Sequence, residues 1–357
     1  MDEENRFIST KILTIMSNWQ QLRINERILT LQQAEKQENI NALAIEKDWW
    51  ATTILKALFS LPYASAMSFK GGTSLSKAWG LIDRFSEDVD LALSHRYFGI
   101  EKTTKNQRDK LRKLSRKFIV EQLSQELEET LTKMGIKDFS VEPVTMVQTN
   151  NGPRTIDSDK DPTVLNVKYR SILNSSLPYI LPQVKIEISC LSMEEPVEVK
   201  DISSIISRHY PNQDSDSHVD IPTVVPTRTF LEKVFLLHEE FQRQHPRSHR
   251  MSRHLYDIER LMDTPYGHAA LEDGELYEAI VQHRSIYYAI KDVDYTSHYP
   301  STLNFIPPQQ VLLEWEKDYE TMKRNFIYGD APTFEHLIER MKELTTRFRN
   351  MALSKNC

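Results

Sequence analysis

Glycine and cysteine are scarce in this chain. Only 9 of its 357 residues are glycine, and Gly71-Gly72 is the one adjacent pair in the sequence. A chain that uses glycine so sparingly keeps it where the backbone needs a conformation that other residues avoid. Its 2 cysteines, Cys190 and Cys357, are too few for a disulfide framework. This content is typical of proteins in a reducing cytosol.

Long apolar runs are also missing. No stretch approaches the roughly 20 apolar residues that a membrane-spanning helix needs. The acidic start, Met1-Asp2-Glu3-Glu4-Asn5, lacks the basic and apolar regions of a secretion signal. With 39% hydrophobic and 27% charged residues, the composition predicts a water-soluble protein with no membrane partner, located in the cytoplasm. The net charge of -6 argues against wholesale coating of nucleic acid but allows a local basic groove.

Hydrophobic periodicity divides the chain into three parts. Residues 8 to 60 carry apolar residues at helical spacing, and we expect Trp49 and Trp50 to lie in the core. Residues 61–225 form an α+β part with a long helix at 102–134 and strands at 66–69, 89–93, 140–146, 164–169 and 183–189. The proline-containing stretch 194–226 is interpreted as a connection at the domain boundary. Residues 226–357 are again helical.

The glycine pair belongs to the motif Lys70-Gly71-Gly72-Thr73-Ser74, just before a predicted helix. Backbone amides, hydroxyls and a helix N-terminus that converge on one spot suit a phosphate group. The alternative is a simple helix cap, because Gly-Thr-Ser is common at helix starts. The Walker spacing GxxxxGK[ST] is absent, which counts against a P-loop ATPase.

Three acids complete the pattern. Asp88 and Asp90 lie on one face of the strand after the glycine turn, because side chains alternate along a strand. Glu187 lies on the predicted strand 183–189, with Lys185 on the same face. Such carboxylates can hold divalent cations that activate a hydroxyl and neutralise phosphate charge, although paired acids can also be merely solvated. The glycine turn and the three acids together predict a nucleotidyltransferase site.

The motifs also resemble a known family. Lys70 to Leu75, followed by Arg84-Phe85-Ser86-Glu87-Asp88-Val89-Asp90-Leu91, is similar to the signature of the AbiEii/AbiGii (MenT-like) nucleotidyltransferase toxins. Lys185-Ile186-Glu187 resembles their second motif, and Lys233 followed by Arg253 to Ile258 resembles their third. The family belongs to the DNA polymerase β-like superfamily. The resemblance implies a nucleotidyltransferase domain at 61–225, with a small mixed sheet and flanking helices. Residues 1–60 would pack on it, and a helical domain would follow at 226–357.

The same resemblance implies an activity. Family members transfer a nucleoside monophosphate (NMP) from an NTP onto an acceptor with Mg²⁺, or Mn²⁺ in its place. The acceptor in MenT-like members is the 3′ end of tRNA. They act as toxins beside a cognate antitoxin, in toxin–antitoxin or abortive-infection phage-defence systems. Two alternatives stay open: NMP transfer onto a protein hydroxyl, and a non-catalytic module that binds RNA or an antitoxin.

Site residues are carried over onto the matching positions. Metal would be bound by Asp88, Asp90 and Glu187, which with Lys233 and Asp257 form the catalytic set. The nucleotide would be bound by Lys70, Gly71, Gly72, Thr73, Ser74, Lys185 and Lys233. Asp257 would orient Lys233 or contact the nucleotide or the acceptor; the alternative for this pair is an interhelical salt bridge.

Regulation and acceptor binding rest on separate residues. Ser86 could be phosphorylated, as the equivalent serine is in related toxins, or could bond the loop backbone. RNA could bind at two basic stretches, represented by Arg112 and Arg116 on the long helix and by Arg250 and Arg253 in a later loop. The alternative for the long helix is a solvated face. A zinc site at the histidines between 241 and 257 is disfavoured by their irregular spacing and the absence of cysteine.

Overall fold

The computed structural model describes residues 18–86, 88–100, 104–149, 151–174 and 180–351. The chain separates into two compact units. The first comprises the described residues of Met1–Thr73, Glu87–Glu194 and Glu198–Thr223. The second comprises those of Ser74–Ser86, Glu195–Val197 and Val224–Cys357. Both units are therefore built from separate stretches of sequence. Cys357 and the predicted helix start at Lys102 lie outside the described residues.

Helices α1 (Asn18–Gln21), α2 (Ile24–Glu38) and α3 (Ala42–Phe59) open the first unit. The Asn41 side chain caps α3 by accepting a hydrogen bond from the Leu43 amide at 3.0 Å. Trp49 and Trp50 are buried, which confirms their predicted place in the core. The Trp50 ring stacks on Tyr169 with 4.6 Å between the ring centroids. Large aromatic rings thus attach α3 to the first unit's sheet.

Seven strands form that sheet: β1 (Met67–Lys70), β2 (Asp88–Leu93), β3 (Phe139–Pro143), β6 (Thr163–Tyr169), β7 (Gln183–Ser189), β8 (Val197–Ser203) and β9 (His218–Val224). Their order across the sheet is β3-β6-β7-β2-β1-β9-β8. Strand β2 runs parallel to β7 and antiparallel to β1, so the sheet is mixed, as predicted. The strand predicted at 183–189 is confirmed at its bounds. A separate exposed hairpin consists of β4 (Met146–Thr149) and β5 (Gly152–Thr155).

The interpretation of 194–226 as a connection is wrong. This stretch forms β8, helix α7 (Ile205–His209) and β9. Strand β9 lies beside β1 in parallel, with Phe69 opposite Thr223. Ile221 and Thr223 are fully buried, whereas Pro222 between them is only partly buried. The prolines suggested a loop, but a strand partner some 150 residues away in sequence stabilises the extended backbone.

One helix comes before strand β2 in the sequence, and a longer one comes after it. Helix α4 (Gly71–Lys77) includes the glycine pair, so the helix begins within the motif rather than after it. The long helix consists of α5 (Lys105–Phe118), one π-helical turn (Ile119–Leu123) and α6 (Ser124–Lys133). Its apolar stripe is buried, at Leu111, Ile119, Leu123, Leu127 and Leu131.

The second unit is helical. Its helices are α8 (Pro226–Phe241), α9 (Ser252–Met262), α10 (Pro265–Glu272), α11 (Gly274–His283), α12 (Leu312–Phe326) and α13 (Phe334–Arg349). Phe230 and Phe235 of α8 and Tyr277 of α11 are buried in its core. In the described part of the chain, no helix is both long and apolar enough to cross a membrane.

Candidate active site

The three predicted acids lie on one face of two adjacent strands. In the parallel pairing of β2 with β7, Asp90 is opposite Glu187 and Asp88 is opposite Lys185. Paired residues point to the same side of a sheet, and neighbouring strands are about 4.8 Å apart. Val89 and Leu91 point to the other side and are fully buried. The sheet therefore places Asp88, Asp90, Lys185 and Glu187 in one half-buried cluster of the first unit.

Lys185 is the cation of this cluster. Its ammonium forms an ion pair with the Glu187 carboxylate. Partial burial lowers the pKa of Lys185, but the hydrogen bond with Glu187 and the charges of Glu187, Asp88 and Asp90 outweigh it, so the pKa is raised. Lys185 therefore stays protonated at neutral pH and neutralises part of the acidic charge.

The donor set fits a hard divalent cation in its chemistry, since carboxylate oxygens are what Mg²⁺ and Mn²⁺ bind. Among the described residues, however, no group of three or more His, Cys, Asp or Glu side chains is arranged to hold a metal ion as it stands. Glu187 is directed at Lys185. Participation of Glu187 in a metal site therefore requires that its carboxylate turn away from Lys185.

The glycine turn abuts these acids. Gly71 has a φ of +79°, in the left-handed region, and a Cβ built on it would lie 2.8 Å from Asp90 Cγ. Lys70 pairs with Asp90 across β1 and β2. The Thr73 hydroxyl donates a hydrogen bond to the main-chain oxygen of Asp88. The turn is thus fitted to the acid-bearing strand, which a simple helix cap does not require.

Replacing Gly71 with alanine tests this fit. The left-handed backbone alone is expected to cost about 1–2 kcal/mol of unfolding free energy. The new methyl group must also displace Asp90, so we expect the transfer activity that the resemblance implies to fall at least about tenfold. Gly80→Ala is the matched control, because Gly80 has a φ of +61° with nothing within 4 Å of its Cβ position. Gly80→Ala should lose stability, measured by urea unfolding, but keep its turnover rate. Equal activity in the two variants would contradict the close fit of Gly71 against Asp90.

Lys233 and Asp257 meet in the second unit. Lys233 Nζ on α8 lies 2.8 Å from Asp257 Oδ2 on α9, so the interhelical salt bridge is present. Arg84 joins them, with Nε 2.6 Å from Asp257 Oδ1 and Nη2 2.7 Å from Oδ2. All three are buried, Asp257 completely. We call Arg84, Lys233 and Asp257 the buried triad.

Sequence reasoning assigned no role to Arg84. Arg84 lies in the family motif, two residues before Ser86, and this position was the one indication of a role. Its partner, Asp257, lies 173 residues later in the chain. A buried arginine is also unusual unless it is paired.

Charge determines the protonation states in the buried triad. Burial raises the pKa of Asp257, but the charges and hydrogen bonds of Arg84 and Lys233 overcome this and hold it well below its usual range. Burial and the Arg84 charge lower the pKa of Lys233, against the opposing effect of Asp257. Burial and the nearby Lys233 and Arg253 charges hold the pKa of His254 well below its usual value, so this ring is neutral at pH 7.

The predicted RNA-binding arginines have different surroundings. Arg116 is buried and donates to the Val144 main-chain oxygen at 3.3 Å, so it is part of the packed structure. Arg112 is half-buried and donates to Asp109 at 3.3 Å. Arg250 is exposed, whereas Arg253 and Ser86 are partly buried. The exposed basic residues of α5 are lysines, and Lys110, Lys113 and Lys117 share one side of the helix.

Comparisons with known proteins find one matching family and a similar solved structure. The family described as "Nucleotidyl transferase AbiEii toxin, Type IV TA system" matches residues 53–340. A search of curated proteins finds no match. Among solved structures, the chain is similar to MenT4, a nucleotidyltransferase toxin from Mycobacterium tuberculosis H37Rv, at 15% sequence identity. That similarity covers 88% of this chain and 94% of the other, with a TM-score of 0.38.

The family match spans most of the chain and includes every motif described above. The chain therefore belongs to the AbiEii family and is a nucleotidyltransferase toxin of a type IV toxin–antitoxin system.

Proposed function

We propose that this toxin transfers NMP from an NTP onto an RNA acceptor, with the 3′ end of tRNA as the acceptor to test first. The observation that carries the proposal is the placement of Asp88, Asp90 and Glu187 on one face of β2 and β7, against the turn at Gly71. Carboxylates in this arrangement suit a divalent cation of the kind that serves phosphoryl and nucleotidyl transfer.

Asp88 and Asp90 are proposed to hold Mg²⁺, or Mn²⁺ in its place, with Glu187 as the third ligand or the general base. When bound, the metal would supply charge neutralisation on the nucleotide phosphates and activation of the acceptor hydroxyl. Glu187 takes up either role by releasing Lys185. The freed Lys185 ammonium, which is protonated, then suits a phosphate oxygen.

The glycine turn is proposed to bind the nucleotide through its backbone. Gly71 lets the main chain approach Asp90 more closely than any side chain would allow. The buried Thr73 hydroxyl is committed to the Asp88 main chain, so it acts by fixing the acidic strand. Lys233 is proposed to bind nucleotide phosphate as a point charge, with Asp257 orienting it.

The labelled-NTP assay tests the reaction. Purified protein is incubated with each α-labelled NTP, Mg²⁺ and either total RNA or a cell extract. Label in tRNA is the expected result. Label in protein alone would instead support NMP transfer onto a hydroxyl, and absence of label from a folded protein with all four NTPs would refute nucleotidyl transfer. Sequencing the adjacent gene tests for the antitoxin partner.

Acceptor binding is proposed to use the exposed lysines of α5. We expect Lys113→Glu/Lys117→Glu to raise the KM for RNA several-fold and to lower the salt dependence of RNA binding by about one unit of log–log slope per lost phosphate contact. Fluorescence anisotropy over a salt series measures this. Lys133→Glu on α6 is the control, since this lysine is exposed and has an i,i+4 ion pair like that of Lys117 but lies outside α5. An unchanged salt slope in the double variant would remove α5 from acceptor binding.

A further inference from the structure

Asp257 is shared unequally between its two cationic partners in the buried triad. Arg84 makes two hydrogen bonds to it, one to each carboxylate oxygen. Lys233 makes one ion pair, to Oδ2, and that oxygen already accepts from Arg84. A two-point guanidinium–carboxylate contact is geometrically fixed, whereas a single ammonium contact is easily exchanged.

The main chain of Arg84 is fixed as well. Residues 83–85 form a short antiparallel bridge with the end of α12 and the residues after it, with Arg84 opposite Ile327. The Phe85 amide donates to the Phe326 oxygen at 2.6 Å, and the Tyr328 amide donates to the Asp83 oxygen at 3.0 Å. Arg84 is therefore anchored at both its backbone and its side chain.

Lys233 differs in its surroundings. Its ammonium, on a flexible four-carbon side chain from α8, contacts Asp257, while the charges of Arg84 and Arg253 both lower its pKa. The neighbouring His254 adds no countercharge, and its Nδ1 is buried without a hydrogen-bond partner among the described residues. The Asp257 carboxylate opposes the effect of these positive charges on Lys233. The phosphate of an incoming nucleotide would be a second negative group near Lys233.

We propose that Arg84 is a positioning residue that keeps Asp257 neutralised and thereby lets Lys233 leave this carboxylate for a nucleotide phosphate. A buried carboxylate that loses its only cation is strongly unfavourable. With Arg84 in place, Asp257 keeps two charge-assisted hydrogen bonds when Lys233 departs. Without Arg84, Lys233 is needed as the counter-ion of Asp257 and is withheld from the nucleotide. The proposal rests on the assignment of Lys233 to nucleotide binding above.

Equilibrium dialysis with α-labelled NTP, Mg²⁺ and no RNA measures nucleotide binding apart from turnover. The NTP is the one that the wild-type protein binds best. We expect Arg84→Met to raise the Kd on the order of tenfold, the size of coupling seen between contacting groups. We expect Arg84→Met/Asp257→Asn to bind the nucleotide several-fold more tightly than Arg84→Met alone, because no carboxylate then competes for Lys233. A purely structural role for Arg84 predicts the opposite, further loss in the double variant.

Arg260→Met is the matched control. Arg260 lies one turn after Asp257 on α9 and pairs with Asp83 at 2.9 Å, outside the buried triad. Its removal should leave the Kd unchanged, with folding checked by circular dichroism.

Each result decides the question. An unchanged Kd in folded Arg84→Met overturns the proposal. If the single variant does not fold, a folded double variant that has lost binding overturns it instead. If the wild-type protein binds none of the four NTPs, the proposed function fails, and the role of Arg84 fails with it.

Discussion

Asp90→Asn is expected to reduce NMP transfer on the order of a thousandfold. Asp90 is opposite Glu187 on one side and Lys70 on the other, and it lies against Gly71. Asparagine keeps the shape of the side chain and removes the charge that a divalent cation needs. Loss of a few kcal/mol of charge stabilisation corresponds to this factor. Single-turnover transfer of label from NTP to RNA measures it.

Glu142→Gln is the control for Asp90→Asn. Glu142 is on β3, at the edge of the same sheet, where its exposed side chain pairs with Lys168. It should keep wild-type activity, and both variants should keep the wild-type circular dichroism spectrum. Chelation of divalent ions with EDTA should stop transfer by the wild-type protein, and Mg²⁺ or Mn²⁺ should restore it. A folded Asp90→Asn protein with wild-type rate would mean that the acid cluster is not the reaction centre.

Asp257→Asn is expected to lower the free energy of unfolding by about 3–5 kcal/mol. The substitution removes the carboxylate while Arg84 and Lys233 stay buried and charged. The desolvation cost of both cations then has no nearby compensation. Urea unfolding followed by circular dichroism measures the change.

Acid titration gives an independent measure of the same charge. Because the folded-state pKa of Asp257 is depressed, its stabilising effect is present above the unfolded-state pKa, about 3.9, and is lost as the pH falls below it. The stability difference between wild type and Asp257→Asn should therefore be largest near neutral pH and shrink below about pH 4.

Asp263→Asn is the control for the buried carboxylate. Asp263 follows α9 and pairs with Arg340 and Arg347, but its side chain is 56% exposed. Its removal should cost less than about 1 kcal/mol, as exposed ion pairs do. Equal losses of unfolding free energy in the two variants would show that burial does not make the contacts of Asp257 more stabilising than exposed ion pairs.

Local patterns predicted the parts of the site that lie on single strands. Alternation in Val184-Lys185-Ile186-Glu187-Ile188 predicted that Lys185 and Glu187 share a face, and the strand has the predicted bounds. The same argument placed Asp88 and Asp90 together. The one adjacent glycine pair pointed to a special backbone conformation, and Gly71 has it. Alternation and positive φ are properties of neighbouring residues, so a single sequence contains them.

Long-range partners were not predictable in this way. The ion pair of Lys185 with Glu187, the buried donor role of Arg116 and the bidentate contact of Arg84 depend on which elements pack together. The prediction for 194–226 was wrong for the same reason, since β9 pairs in the sheet with strands β1 and β8. Proline and charge content describe local preference, which tertiary hydrogen bonds override.

The sequence by itself determined the class of protein and predicted which acids share one face of the sheet, because the glycine turn, strand alternation and family motifs are all local. Only the tertiary structure decided how those charges are balanced. In the folded protein Glu187 forms an ion pair with Lys185, and Gly71 lies against Asp90. Asp257 contacts both Arg84 and Lys233. Charge balance in a buried site depends on distances between residues remote in sequence, and folding alone sets those distances.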